Sequence, residues 1–169
     1  MQATMGIIVG GGPAPGINGV IGAAAIEAIN NGLDVLGFYD GFRHLAGECF
    51  NVDEHAVKLT IKDISRIHFD GGSILRTART SLLNQAKLKV STVVEPDVEK
   101  VTRVHDRLRD CGITHLLTIG GDDTALSARL VAECSGGTIR VVHVPKTIDN
   151  DLPLPGDIPT FGHVTARHL

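Results

Sequence analysis

The chain has 169 residues, 43% of them hydrophobic and 21% charged, which is an ordinary composition for one globular domain. With a net charge of -3 and no Lys/Arg-rich run, we expect neither a nucleic-acid nor a membrane partner. Three widely spaced cysteines match no metal-ligand pattern, and no segment has the length of a membrane span, so we expect a cytoplasmic protein.

Short apolar runs alternate with amphipathic stretches, and this order predicts βαβ units around a mainly parallel sheet. The expected fold class is α/β, a three-layer open sheet with helices on both faces. The N-terminus has no basic segment and is predicted to be a strand rather than a signal peptide. Predicted strands are 5–9, 35–39, 116–119 and 139–144; predicted helices are 17–31, 61–68, 97–111 and 124–133, and another begins at 163.

Several of these helices carry terminal signals. Asp97 is placed to cap the third helix, and Gly32 and Gly112 follow the first and third. The run from Thr60 to Asp63 resembles a capping box and predicts the second helix. The apolar face predicted for the third helix consists of Val98, Val101, Val104, His105 and Leu108.

The first strand ends in the glycine-rich turn GGGPAPG, which opens the first helix. Amides at a helix start favour an anion, and glycines let a phosphate approach the backbone. The turn is not a Walker loop, because Ile17-Asn18 follow Gly16, and Pro15 replaces the third glycine of the dinucleotide fingerprint. By itself the turn is equally consistent with a phosphate site and with a tight turn that binds nothing.

A second glycine turn, GGDDT, repeats the arrangement of strand, glycine pair and helix start. One aspartate is readily explained as a cap that complements the helix dipole, whereas two are explained less well. A carboxylate beside phosphate-binding amides suits Mg²⁺, which takes one or two carboxylates plus phosphate oxygens. Because open α/β sheets bind ligands at the carboxyl ends of their strands, the two turns together favour a phosphate site.

A third loop, PKTIDND, follows the last predicted strand. Asp149 could act as a general base toward a hydroxyl, while Lys146 neutralises a transferring phosphoryl group. The alternative is an Asx-type turn with a surface lysine. The site interpretation is favoured because this is the third such loop on one edge of the sheet.

Five segments from Met5 to Arg167 occur in the order and spacing of the phosphofructokinase family, which the chain therefore resembles. They are GGGPAPGINGVI, Asp40-Gly41, GGSILRTART, IGGDDT and PKTIDND. The resemblance implies phosphorylation of the 1-hydroxyl of fructose 6-phosphate to give fructose 1,6-bisphosphate, with Mg²⁺ as cofactor.

The family's site residues carry over onto matching positions. The resemblance implies that Gly11, through its amide, and Gly12, Arg79, Gly121 and Thr124 bind the phosphoryl donor. It makes Asp122 the Mg²⁺ ligand and Asp149 the base, with Lys146, Thr147 and Asp123 also catalytic. It places the substrate against Thr147, Ile148, Asp149 and Asp151.

Two of these positions imply the donor. Members that use pyrophosphate carry aspartate and lysine where this chain has Asp123 and Lys146, whereas ATP-using members typically have glycine at the first position. A carboxylate at 123 adds bulk and negative charge where the α-phosphate of a nucleotide would pass. The pyrophosphate-dependent type is therefore expected, and the ATP-dependent enzyme is the alternative.

The resemblance also sets expectations for the rest of the protein. Residues 1–169 match an N-terminal donor-binding domain, with 152–169 leading toward a second domain that is absent here and holds the sugar phosphate. We therefore expect this chain to be inactive alone, and the full-length protein to be a homo-oligomer. A kinase of the GGD type acting on a nucleotide or lipid, and a non-catalytic phosphate-binding module, are further alternatives.

Overall fold

A computed structural model describes residues 2–84, 95–150, 155–156, 158–160 and 162–168. Within these ranges one sheet has the strand order β3-β2-β1-β4-β5. Its strands are β1 (Thr4–Val9), β2 (Asp34–Phe38), β3 (Ala56–Lys58), β4 (Ile113–Gly120) and β5 (Arg140–Pro145). Only β3 runs antiparallel to its neighbour, so the predicted α/β class with a mainly parallel sheet is confirmed.

Helices cover both faces of this sheet and form the two outer layers of the predicted three. The α-helices of the described residues are Ile17–Asn30, Arg43–Ala46, Val52–His55, Ile61–Ile64, Val98–Asp110, Asp122–Ser135 and His163–His168. None of these helices combines the length and apolar character needed to cross a membrane.

The core is divided by the sheet, as side-chain alternation along β1 shows. Ile7 and Val9 belong to one apolar cluster, which includes Ile21 of the first helix. The intervening Ile8 belongs to the other cluster, which includes Leu108 from the helix Val98–Asp110. Successive side chains of a strand point to opposite faces, so one short apolar run supplies both cores.

The strand order positions the site. β1 lies between β2 and β4 and runs parallel to both. The helix after β1 packs on one face of the sheet, and the helix after β4 packs on the other. The two connections therefore diverge at the carboxyl ends of adjacent strands, and this leaves the crevice in which open α/β sheets bind ligands.

Several predicted boundaries were wrong. The helix predicted at 61–68 is one α-helical turn, Ile61–Ile64, followed by a separate 3₁₀ turn, Ile67–Phe69. Thr60 donates its hydroxyl to the Asp63 carboxylate, so no capping box forms. Val98 is 68% exposed, so it does not belong to the buried face of its helix, which contains Val101, Val104 and Leu108.

Other local predictions were confirmed. The Asp97 carboxylate accepts a hydrogen bond from the Lys100 amide at 3.3 Å, which caps the helix. Gly32 and Gly112 have φ values of 80° and 72°, the left-handed conformation that ends a helix. The elements missed by sequence analysis, Arg43–Ala46, Val52–His55 and β3, are too short to show a periodicity.

Candidate active site

A cavity of about 490 Å³ lies at the carboxyl ends of β1, β4 and β5. The predicted site residues that line it are Gly11, Gly12, Arg79, Gly121, Asp122, Asp123, Thr124, Lys146, Thr147, Ile148 and Asp149. Asp151, the remaining predicted residue, lies outside the described part of the chain. Three loops and the segment that carries Arg79 therefore converge on one space.

The first glycine turn is held by backbone hydrogen bonds on two sides. Gly10 donates its amide to the Ile119 carbonyl at 2.8 Å, and Gly11 donates its amide to the Ala78 carbonyl at 3.0 Å. Gly11 has a φ of 84°, which side chains rarely adopt. Because its amide is already engaged, the expectation that Gly11 offers this amide to the donor does not hold in this conformation.

Thr124 joins the first and second glycine turns. Its side chain is 6% exposed and occupies the space that a β-carbon at Gly10 or Gly120 would need. Both glycines are therefore required for packing, because any larger residue would collide with the threonine. Thr124 thus has a clear structural role, and direct contact with a phosphate stays a prediction.

Lys146 is buried within the cavity wall, with only 4% of its surface exposed. Its ammonium donates a hydrogen bond to the Gly12 carbonyl, and its backbone amide donates to the Gly120 carbonyl at 2.8 Å. Burial lowers the pKa of the Lys146 ammonium, and the nearby Arg79 guanidinium lowers it further. The surface lysine of the simple-turn alternative is therefore excluded.

Arg79 brings a second cation to the same wall. A guanidinium nitrogen of Arg79 lies 3.6 Å from the position that a β-carbon at Gly12 would take. In the described part of the chain, no carboxylate forms an ion pair with either Arg79 or Lys146. Two neighbouring cations without an acidic partner form a site for an anion.

Asp122 and Asp123 form the first turn of their helix, which begins two residues earlier than predicted. Both are exposed and line the cavity, and no basic side chain of the described residues pairs with them. The described residues contain no cluster of three potential metal ligands. Mg²⁺ needs no such cluster, because one or two carboxylates and the oxygens of a bound phosphate suffice.

The PKTIDND loop is fixed by side-chain hydrogen bonds around Asp149. The Thr147 hydroxyl accepts the Asp149 amide at 3.1 Å, and the Asn150 side-chain oxygen accepts the Thr160 amide at 2.8 Å. His163 lies 2.9 Å from the Ile148 carbonyl and donates to it through Nδ1. The Asp149 carboxylate is exposed at the cavity, where an incoming hydroxyl could reach it.

Comparison with known proteins identifies this arrangement. The sequence profile of the family described as Phosphofructokinase matches residues 4–169. The chain belongs to the phosphofructokinase family. It is 57% identical over 169 residues to the pyrophosphate–fructose 6-phosphate 1-phosphotransferase of Thermotoga maritima, and 53% identical over 166 residues to that of Naegleria fowleri.

These relatives are much longer than this chain. The match covers 100% of this chain and 37% of the Thermotoga maritima protein, and 98% of this chain and 35% of the Naegleria fowleri protein. A solved structure of Pichia pastoris phosphofructokinase has a similar fold, with a TM-score of 0.73 at 22% identity, covering 96% of this chain and 17% of that one. The chain thus spans little more than a third of the relatives' length.

Sequence analysis of this phosphofructokinase domain missed the residues that hold the site in place. Asn18 is 2% exposed; its side chain donates to the Asp70 carbonyl at 3.0 Å and accepts the Ile74 amide at 2.9 Å. It thereby fixes the segment that leads to Arg79. The available signal for Asn18 was a polar residue within an apolar helix. His143 was missed in the same way, as a polar residue within the apolar strand β5.

Proposed function

We propose that the complete protein transfers a phosphoryl group from pyrophosphate to the 1-hydroxyl of fructose 6-phosphate. The observation that carries the proposal is the buried Lys146 beside Arg79, in one cavity at the sheet edge that an exposed Asp123 also lines. The names of the relatives from Thermotoga maritima and Naegleria fowleri support the same reaction.

The charge distribution favours a compact anion as the donor. Lys146 and Arg79 offer two positive charges to a phosphate group. Pyrophosphate is a compact anion, because its negative charge is confined to the oxygens of two phosphate groups. Asp123 places a further negative charge on the cavity wall. A nucleotide must bring its α-phosphate and nucleoside past this wall, so like-charge repulsion and bulk act against ATP.

Asp122 is the residue that would hold Mg²⁺ together with pyrophosphate oxygens. When bound, the ion would offset the charge of the phosphates. An exposed carboxylate at a helix start, with no cation of its own among the described residues, fits this role. The fit holds without any rearrangement of an existing ion pair.

In the transfer step, the oxygen of the sugar hydroxyl bonds to one phosphorus of pyrophosphate, and Asp149 takes the proton of that hydroxyl. The bridging P–O bond breaks, and inorganic phosphate leaves. Lys146 stabilises the charge on the transferring group, and Thr147 holds the Asp149 amide in place. The part of the protein beyond this chain would bind the sugar phosphate, and we propose that it completes a homo-oligomeric enzyme.

The decisive experiment is an assay of the complete protein with magnesium pyrophosphate or magnesium ATP, with fructose 6-phosphate as acceptor. We expect turnover with pyrophosphate to exceed turnover with ATP. Faster turnover with ATP would exclude the donor assignment, and failure with both donors would favour a non-catalytic phosphate-binding module. Calorimetry on the 169-residue chain should show binding of magnesium pyrophosphate in the absence of any sugar.

A further inference from the structure

His143 lies in β5, which pairs with β4, and it is not among the residues that line the cavity. It is the register partner of Thr118 across the two strands. Its Nδ1 lies 2.9 Å from the Thr118 hydroxyl, and its Nε2 lies 3.1 Å from the Gly120 carbonyl oxygen. Both ring nitrogens are therefore used within the protein, and one of them reaches the backbone of the second glycine turn.

These contacts select one form of the imidazole. A carbonyl oxygen can only accept, so Nε2 must carry a proton to bond Gly120. The Thr118 hydroxyl is closer to Nδ1, at 2.9 Å, than to the Val142 carbonyl, at 3.5 Å, so it donates to an unprotonated Nδ1. Burial lowers the pKa of the His143 imidazole, which also favours the neutral ring.

The bonded carbonyl controls the next amide. The Gly120 carbonyl accepts two hydrogen bonds from the β5 side, one from His143 and one from the Lys146 amide at 2.8 Å. A trans peptide is planar, so the Gly121 N–H must point the opposite way, toward β1. Neither glycine has a side chain to restrict this peptide, and helix starts leave such amides free for a ligand.

We propose that neutral His143, protonated at Nε2, is a positioning residue that fixes the Gly120–Gly121 peptide so that the Gly121 amide faces the bound phosphate. This inference rests on the proposed function for the identity of the anion. The orientation of the peptide itself does not depend on any ligand.

Two variants separate the proposed hydrogen bond from simple packing. His143→Gln keeps an N–H donor near the position of Nε2, whereas His143→Asn keeps a partner for Thr118 but is too short to reach Gly120. By calorimetry with magnesium pyrophosphate on the 169-residue chain, we expect His143→Gln to bind within about twofold of wild type. His143→Asn should bind about fivefold to tenfold more weakly. Equal losses in both variants, or no loss in either, would overturn the proposal.

Nuclear magnetic resonance provides a readout that needs no ligand. The side-chain nitrogen shifts of wild-type His143 should report a neutral ring with the proton on Nε2. The amide signal of Gly121 should move in His143→Asn and stay near its wild-type position in His143→Gln. A cationic ring or a proton on Nδ1 at neutral pH would contradict the proposal, even if His143→Asn does not fold.

The two readouts keep this inference separate from the proposed function. If wild-type chain binds no pyrophosphate but the ring is the Nε2–H form and the Gly121 signal responds as expected, the donor assignment fails and the positioning role stands. If pyrophosphate binds and the Gly121 signal is unmoved in His143→Asn, the positioning role fails alone.

Discussion

A buried lysine is the least expected residue of this site. An ammonium withdrawn from water is costly unless a partner replaces the lost hydration, and the Lys146 ammonium has one hydrogen-bond partner among the described residues, the Gly12 carbonyl. Arg79 adds repulsion instead of relief. The arrangement is unfavourable in the empty site and favourable once an anion enters. We therefore expect Lys146 to lower the stability of the ligand-free chain and to strengthen anion binding.

Replacing this lysine should therefore affect binding and stability in opposite directions. We expect Lys146→Met to abolish measurable binding of magnesium pyrophosphate, while the free energy of unfolding of the ligand-free chain stays the same or increases. Calorimetry and urea unfolding measure the two quantities. A large loss of stability in Lys146→Met would show that the ammonium holds the loops together.

The same lysine predicts a pH dependence. Its pKa in the folded chain lies below the ordinary value of 10.5, so near that pH the unfolded chain binds more protons than the folded one. The destabilising contribution of Lys146 is thus fully present below its folded pKa. It should diminish as pH rises toward 10.5, so urea unfolding should show a stability gain in wild type that is missing from Lys146→Met. If the free energy of unfolding varies with pH in the same way in wild type and in Lys146→Met, the lowered pKa of Lys146 is contradicted.

Asp123 can be tested for donor selection with two substitutions. Asp123→Gly removes charge and bulk, whereas Asp123→Asn removes charge alone. We expect magnesium ATP to bind at least about fivefold more tightly to Asp123→Gly, because a repulsion on the order of 1 kcal/mol is lost near a screened surface. Calorimetry with magnesium ATP and with magnesium pyrophosphate measures the two affinities. Unchanged ATP affinity in both variants would mean that Asp123 does not select the donor.

Among the secondary-structure elements, the short helix Arg43–Ala46 depends on a distant arginine. Arg107 donates to the carbonyls of His44, Leu45 and Gly47 at 2.9, 2.8 and 2.7 Å, and to that of Glu48 at 2.8 Å. A cation at a helix C-terminus both satisfies the last carbonyls and complements the dipole. Arg103 also donates to the carbonyls of Ala46 and Gly47, at 2.9 and 3.2 Å, so two arginines replace the hydrogen bonds that a longer helix would make for itself.

Loss of this guanidinium should destabilise the chain. We expect Arg107→Met to lower the free energy of unfolding by about 2–4 kcal/mol, because several carbonyls lose a charged donor at once. Arg109→Met is the matched control, since Arg109 lies on the same helix, is exposed, and pairs within the described residues with Asp106 and Asp110. Its effect should stay within about 1 kcal/mol in the same urea experiment.

Local and distant causes explain which elements the sequence could predict. β1 and β4 are apolar runs that end in glycine pairs, so their positions and the turns after them follow from nearby residues. The helix Arg43–Ala46 is held by Arg107, about sixty positions further along the chain, so no local pattern marks it. The site was predictable for the same reason as the strands, whereas the burial of Lys146 arises only when three loops meet.

At the scale of the whole molecule, the cavity is lined by loops that follow three strands of one sheet, so it exists only in the folded chain. A ligand that binds only the folded chain stabilises it by mass action, by about 2.7 kcal/mol at a hundred times its Kd. With about 3 °C per kcal/mol for a domain of this size, saturating magnesium pyrophosphate should raise Tm by roughly 8 °C.

Two variants divide this thermal shift into its causes. Asp149→Asn removes the proposed base and should keep most of the shift, because the base acts on the acceptor and not on the donor. Lys146→Met should lose the shift, because it removes the cation that meets the donor. Differential scanning fluorimetry with magnesium sulfate as the anion control measures all three proteins. A shift that sulfate reproduces, or that survives in Lys146→Met, would place the bound anion outside this cavity.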